Sequence, residues 1–95
     1  MEKTVKVVSQ TPVFEIEVTD AYTQQKKQLP VVEMMLTDGL DTFVAEMRGE
    51  RCRELTDLVG YVCRVSVTLN TRTSKGQDGR DRTFNSITLN RIARL

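Results

Sequence analysis

A polar segment in the second half of the chain brings four cations close together. It spans residues 72–82, contains Gly76 and Gly79, and carries the cations Arg72, Lys75, Arg80 and Arg82. Long cationic side chains can neutralise phosphates, and glycines let a loop adapt to a ligand. The segment therefore predicts contact with an anionic polymer. Its composition alone is somewhat more typical of a solvated hairpin tip, so the functional interpretation depends on the fold around it.

Aromatic side chains that could stack on bases are few. By alternation, three of the five belong to the core: Phe14, Phe43 and Tyr61. Tyr22 lies in a polar segment beside Lys26 and Lys27, and Phe84 flanks the basic segment. These two are the stacking candidates, although a packing role is the more common one for such residues.

The usual catalytic and metal-binding patterns are absent from the sequence. The chain has no histidine, which removes the usual neutral-pH proton carrier and any Cys–His or Ser–His pair. Cys52 and Cys63 fit no zinc spacing, and no phosphate-binding glycine motif occurs. The two cysteines indicate a reducing compartment, with a bridge between them left open. We predict that the protein is not an enzyme and needs no cofactor or metal.

Charge is distributed unevenly along the chain. Residues 1–58 hold seven basic and eleven acidic side chains, whereas residues 59–95 hold seven basic and two acidic ones. The two parts therefore carry −4 and +5. This asymmetry is either a coincidence of composition or a basic surface for an anionic partner such as nucleic acid.

Apolar residues alternate with polar ones along most of the chain, as in half-buried strands. The predicted elements are a β-rich run at Thr4–Val8, strands at Val13–Val18, Val31–Thr37, Thr42–Met47, Tyr61–Leu69 and Phe84–Ile92, and a short helix or helical turn within Gly49–Asp57. Residues 20–28 and 71–83 are predicted as loops, and Asp38-Gly39 as a tight turn. In the last strand, Arg91 is expected on the same face as Ile87 and Leu89.

Five strands with one short helix between the third and the fourth predict an all-β, five-stranded OB-fold barrel. A single domain covers residues 1–95. Because Pro12 interrupts the first β-rich region, residues 1–10 are either part of one bent strand or an extra strand or arm. A two-sheet sandwich is the alternative architecture.

The chain resembles single-stranded-DNA-binding OB-fold proteins, and in particular a small bacterial family of such domains. The resemblance covers roughly residues 25–92 and is carried by Gln25–Gln28, Val31–Thr37, Phe43–Gly49, Gly60–Val67, Asp78–Arg80 and Thr83–Ile87. It implies a barrel, a homo-oligomer (a dimer or a tetramer) and a sequence-tolerant groove for nucleic acid. Met47 departs from the pattern, because such relatives tend to have an aromatic residue there.

We therefore predict a non-catalytic, cytoplasmic domain that binds single-stranded nucleic acid, above all DNA. We predict that it does not bind a membrane. The predicted contacts are Lys26, Lys27, Arg64, Arg72, Lys75, Arg80 and Arg82 to phosphates, and Tyr22 and Phe84 to bases. The alternative is a protein-interaction or scaffold OB domain that oligomerises without nucleic acid. Oligosaccharide binding has less support, because exposed rings are scarce.

Overall fold

The computed structural model describes the backbone of residues 1–76 and 79–95, and all of their side chains except those of Arg72, Ser74, Lys75, Arg82 and Phe84. The chain is all-β, as predicted. Its strands are β1 (Glu2–Gln10), β2 (Phe14–Thr19), β3 (Lys26–Thr37), β4 (Thr42–Arg48), β5 (Val62–Lys75) and β6 (Asp81–Arg94), and one 3₁₀ helix spans Glu50–Glu54.

All six strands belong to one sheet with the order β1-β5-β6-β4-β3-β2. An additional antiparallel pairing between β1 and β3 closes five of the strands into a circuit. The β4–β6 contact is the parallel one, and it joins only Ala45 with Ile87 and Glu46 with Thr88. The circuit therefore has one weak seam, between β4 and β6.

The first two strands run one after the other along β3. Gln10 pairs with Met34 and Phe14 pairs with Val31, so the register is nearly continuous across the break at Pro12. The Thr11 N–H donates to the Glu33 carbonyl at 2.9 Å and keeps the chain beside β3. Proline has no N–H to donate, which explains why the ladder is interrupted there. Residues 2–10 therefore form the strand that closes the circuit, and β2 prolongs it.

Apart from Val31, the buried side chains form one cluster inside the circuit, and those that lie on strands follow the predicted alternation. The cluster consists of Val5, Val7, Val32, Met34, Leu36, Ala45, Met47, Cys52, Leu58, Cys63, Val65, Val67 and Leu89. The two cysteines are free, and burial raises the pKa of the Cys63 thiol. Both thiols therefore act as small apolar core groups.

Two aromatic residues assigned to the core are exposed instead. Phe14 is 36% exposed because β2 pairs only with β3 and lies outside the closed circuit. Tyr61 is 46% exposed and lies just before β5, with the Arg94 guanidinium 4.8 Å from its ring centre. Phe43 does pack against the core. Alternation identifies a face of a strand, but not whether that face is covered.

The helical segment is a short 3₁₀ helix, which agrees with the predicted helical turn and not with the alternative of a helix of two or three turns. It begins after Gly49, whose φ is 100° and which provides no side-chain cap. It ends where Leu55 becomes extended, so that Leu58 can reach the core. The Gln10 side chain holds this exit, since it accepts from the Leu58 N–H and donates to the Thr56 carbonyl, both at 3.0 Å. Tertiary contacts thus override local helix propensity.

The predicted tight turn at Asp38 joins β3 to β4 and carries a perturbed carboxylate. Asp38 accepts hydrogen bonds from the Asp41 N–H at 2.8 Å and the Leu40 N–H at 3.0 Å, and Lys3 Nζ lies 3.3 Å away. The two backbone hydrogen bonds, Asp41 first, lower the pKa of Asp38 to about 2, with a smaller contribution from Lys3. The ionised form therefore stabilises the turn.

We expect Asp38→Asn to destabilise the protein at pH 7 and to have progressively less effect as the pH falls from about 4 towards 2. A carboxyl whose pKa is lower in the folded state stabilises the fold above its unfolded pKa, and loses that contribution as it is protonated. Thermal unfolding of the wild-type protein and of Asp38→Asn across this pH range measures the difference in their stability. The carboxylates that both proteins share affect both equally and do not contribute to this difference. A difference that does not depend on pH would contradict this origin.

Candidate nucleic-acid interface

Strands β5 and β6 form a long hairpin that contains all seven cations of residues 59–95. Three lie on β5, three on β6 and one in the connection: Arg64, Arg72, Lys75, Arg80, Arg82, Arg91 and Arg94. Only Asp78 and Asp81 oppose them within this hairpin. The hairpin therefore carries a net charge of +5.

The segment predicted as a loop at residues 71–83 is mostly strand. β5 continues to Lys75 and β6 starts at Asp81, with their ladder paired to the end. Within the described residues β1 pairs with β5 only as far as Ser66 and β4 pairs with β6 only at Ile87 and Thr88, so the hairpin beyond Ile87 is a two-stranded ribbon. Leu69, which pairs with Ile87 at the base of this ribbon, is 58% exposed. A ribbon with no core beneath it has polar residues on both faces, which resembles a loop in sequence.

The register assigns one face of this hairpin a row of cations and hydrogen-bonding groups, here called the polar hairpin face. On β5 it consists of the positions Arg64, Ser66, Thr68, Asn70, Arg72 and Ser74, and on β6 of Arg82, Phe84, Ser86, Thr88, Asn90, Arg91 and Ala93. Asn70 donates to Thr88 Oγ1 and Asn90 donates to Thr68 Oγ1, both at 2.8 Å. The face thus contains four arginine positions and no acidic one.

Three of the predicted phosphate ligands have acidic partners from the first part of the chain. Lys26 lies 3.3 Å from Glu17, Lys27 lies 3.8 Å from Asp20, and Arg64 lies 3.1 Å from Glu2. The side chains of these pairs are exposed to solvent, except that of Asp20, which is partly buried. Exposed ion pairs generally contribute only about 0–1 kcal/mol, so a polyanion can compete with the carboxylate for the cation.

The sheet does not bring all the predicted contacts to one place. β3 runs antiparallel to β4, and β6 runs parallel to β4, so β3 and β6 begin at opposite ends of the sheet. Tyr22, Lys26 and Lys27 lie at the β2–β3 end, far from the β5–β6 connection. Tyr22 is 97% exposed, and its backbone N–H donates to the Asp20 carboxylate at 2.8 Å. It is available to a ligand, but not on the hairpin.

The remaining predicted contacts lie on the hairpin. Arg80 is exposed, and its carbonyl accepts from the Gly76 N–H at 2.8 Å across the connection. The side chains of Arg72, Lys75, Arg82 and Phe84 lie outside the described residues. Their backbone positions are described: Arg72 pairs with Phe84, and Lys75 pairs with Asp81.

Arg91 belongs to the site although alternation assigns it to the core face. β6 has one extra residue at Asn90, because Val67 pairs with Leu89 and Ser66 pairs with Arg91. An extra residue in one strand moves the following side chains to the opposite face. Arg91 therefore joins the polar hairpin face, and no pattern in the sequence marks this bulge.

The outer face of β3 and β4 has the opposite character. Glu33 lies directly across from Glu46, and Met35 lies across from Val44. Arg48 offsets one of the acids by donating to Glu46 at 2.8 Å. Like charges directly opposite each other repel, so this face is poorly suited to a phosphate chain.

No protein-family model matches this chain, and no curated protein sequence matches it. Among the described residues, no helix is long and apolar enough to cross a membrane.

Proposed function

We propose that this chain is a non-catalytic OB-fold domain that binds single-stranded nucleic acid, and DNA in particular, along the polar hairpin face. The observation that carries the proposal is the concentration of seven cations against two acids on one hairpin. A polyanion is attracted to such a surface by releasing its counterions. The contacts to the nucleic-acid strand then involve its phosphates and tolerate different base sequences.

The strand connections support the OB-fold part of the proposal. The closed circuit runs β1-β3-β4-β6-β5, and the 3₁₀ helix lies between β4 and β5. If β1 and β2 are counted as one interrupted strand, these are five strands with a helix between the third and the fourth. A five-stranded, partly open Greek-key barrel has this arrangement, and the loop before its last strand commonly contacts ligand.

The residues of the hairpin provide two kinds of contact. The arginines neutralise phosphates, while Asn70 and Asn90 offer amide groups between them. Phe84 is the base-stacking residue on the polar hairpin face. Its position on β6 is paired with that of Arg72 on β5. Stacking on one aromatic ring is generally worth about 1–3 kcal/mol per base. With so few rings, we expect electrostatic attraction to dominate the affinity.

Fluorescence anisotropy tests the proposal directly. A labelled 20-nucleotide deoxythymidine oligomer is titrated with the protein at low salt, beside a duplex and an RNA of the same length. Binding to the single strand that exceeds binding to the duplex supports the proposal, and the RNA arm measures the preference for DNA. Absence of binding at low salt rejects it.

A second function, assembly with protein partners or with further copies of this chain, is favoured by one observation. Met35 and Val44 are exposed cross-strand partners on the outer face of β3 and β4. Exposed apolar side chains that adjoin one another can mark an interaction surface. Light scattering with and without the oligonucleotide separates the two functions, because an oligomer that ignores nucleic acid indicates a scaffold.

A further inference from the structure

A cavity of about 450 Å³ opens where β4 and β6 separate. Beyond their two paired positions these strands are no longer paired with each other, and Met47 and Ile92 line the opening. The 3₁₀ helix borders the gap, and with five residues it is short. Leu55 adds a third apolar group to the lining. The cavity is thus a product of the weak seam in the circuit.

Three arginines line this cavity: Arg51 from the 3₁₀ helix, Arg64 from β5 and Arg91 from β6. The Arg64 side chain is paired with Glu2, whereas the side chains of Arg51 and Arg91 have no hydrogen bond or ion pair in the described part of the chain. Glu54 is the other acid of the lining. Guanidinium groups with uncommitted donors next to an apolar floor suit a ligand that combines a phosphate with a planar ring.

The cavity is continuous with the polar hairpin face. Arg64, Ser66, Asn90 and Arg91 belong both to that face and to the lining of the cavity. A single nucleic-acid strand that runs along the hairpin towards the body of the domain therefore reaches the opening of this cavity. The acidic pair Glu33 and Glu46 lies on the outer face of β3 and β4 instead, and is absent from the lining.

From this continuity we infer that the cavity binds one nucleotide of the bound single strand. Arg51 and Arg91 hold its phosphate, and the base lies against Met47, Leu55 and Ile92. The volume lies within the roughly 300–1,000 Å³ range of small-ligand pockets. This inference rests on the proposed function and specifies where the strand ends its path along the hairpin.

Single substitutions in the cavity test the inference. Arg51→Gln and Arg91→Gln are each expected to weaken binding of the deoxythymidine oligomer about five- to tenfold, because each removes one of the two guanidinium groups that hold the same phosphate. Arg53→Gln is the matched control. Arg53 lies on the same 3₁₀ helix, pairs with Glu15 and Glu50, and is absent from the cavity lining. It should change the affinity less than twofold.

Nuclear magnetic resonance adds a readout that does not depend on the oligomer. Thymidine monophosphate should shift the backbone amide signals of residues 51, 91 and 92, with inorganic phosphate shifting 51 and 91 only. Circular dichroism confirms that each variant is folded. If the wild-type protein binds the oligomer and Arg51→Gln binds it as tightly as Arg53→Gln does, the inference is wrong and the proposed function stands. If the wild-type protein does not bind the oligomer, both are wrong.

Discussion

Raising the salt concentration from 50 to 200 mM should weaken oligonucleotide binding by about 50-fold. We expect four arginines of the polar hairpin face to neutralise one phosphate each: Arg64, Arg72, Arg82 and Arg91. Counterion release from single strands then gives a slope of log K against log salt of about −2.8. A fourfold change in salt at that slope corresponds to the predicted loss.

Anisotropy titrations at five or six salt concentrations measure the slope, and two pairs of substitutions locate its origin. Arg64→Gln combined with Arg91→Gln should halve it to about −1.4, because two phosphate contacts are removed. Lys26→Gln combined with Lys27→Gln should leave it unchanged, because these lysines lie at the opposite end of the sheet from the hairpin connection. A larger effect of the lysine pair would show that the strand crosses the β2–β3 end instead.

The core and the strands could be predicted because alternation reports a physical requirement. A strand with one covered face must place its apolar residues at every second position. Val5 and Val7 on β1, and Cys63, Val65 and Val67 on β5, all follow that rule and are buried. Alternation does not indicate whether a strand face is covered by other parts of the protein. For this reason it wrongly assigned Phe14 to the core.

The length of the two hairpin strands could not be predicted from the sequence for the same reason. Residues 71–75 and 81–85 alternate among threonine, serine, asparagine and charged residues, with Phe84 the exception, and such segments form solvated strands and loops equally well. They form strands here because β5 and β6 are already paired inside the circuit. Each further pair of residues extends that ladder and gives backbone N–H and C=O groups hydrogen-bond partners. A local pattern cannot contain that information.

The candidate site was predictable in composition but not in arrangement. The sequence indicates a basic second half, and the structure concentrates that charge on one hairpin. The sequence does not indicate that Glu2, Glu17 and Asp20 pair with three of the predicted cations, because those pairs depend on strand register. Arg51 was missed because its importance depends on the gap between β4 and β6, which only the tertiary structure defines.

Leu36→Ala should cost about 2–5 kcal/mol of unfolding free energy, a large share of the total of about 5–15 kcal/mol expected for a natural domain. Leu36 is fully buried, and it pairs directly with Val7 across the β1–β3 contact that closes the circuit. Truncation leaves a cavity between two strands that are held in place by the rest of the sheet, so the site can collapse only partly. Urea unfolding followed by circular dichroism measures the loss, with an unchanged m-value expected.

Met35→Ala is the matched control, because Met35 neighbours Leu36 on β3 and is exposed on the outer face. It should cost about 0.5 kcal/mol or less, as surface substitutions usually do. Val7→Ala, combined with Leu36→Ala, then tests the closure itself. If β1 and β3 pack as one unit, the two losses should be coupled by about 0.5 kcal/mol or more. Additive losses would mean that the two side chains are stabilised independently, and that β1 contributes to the core without being fixed to β3.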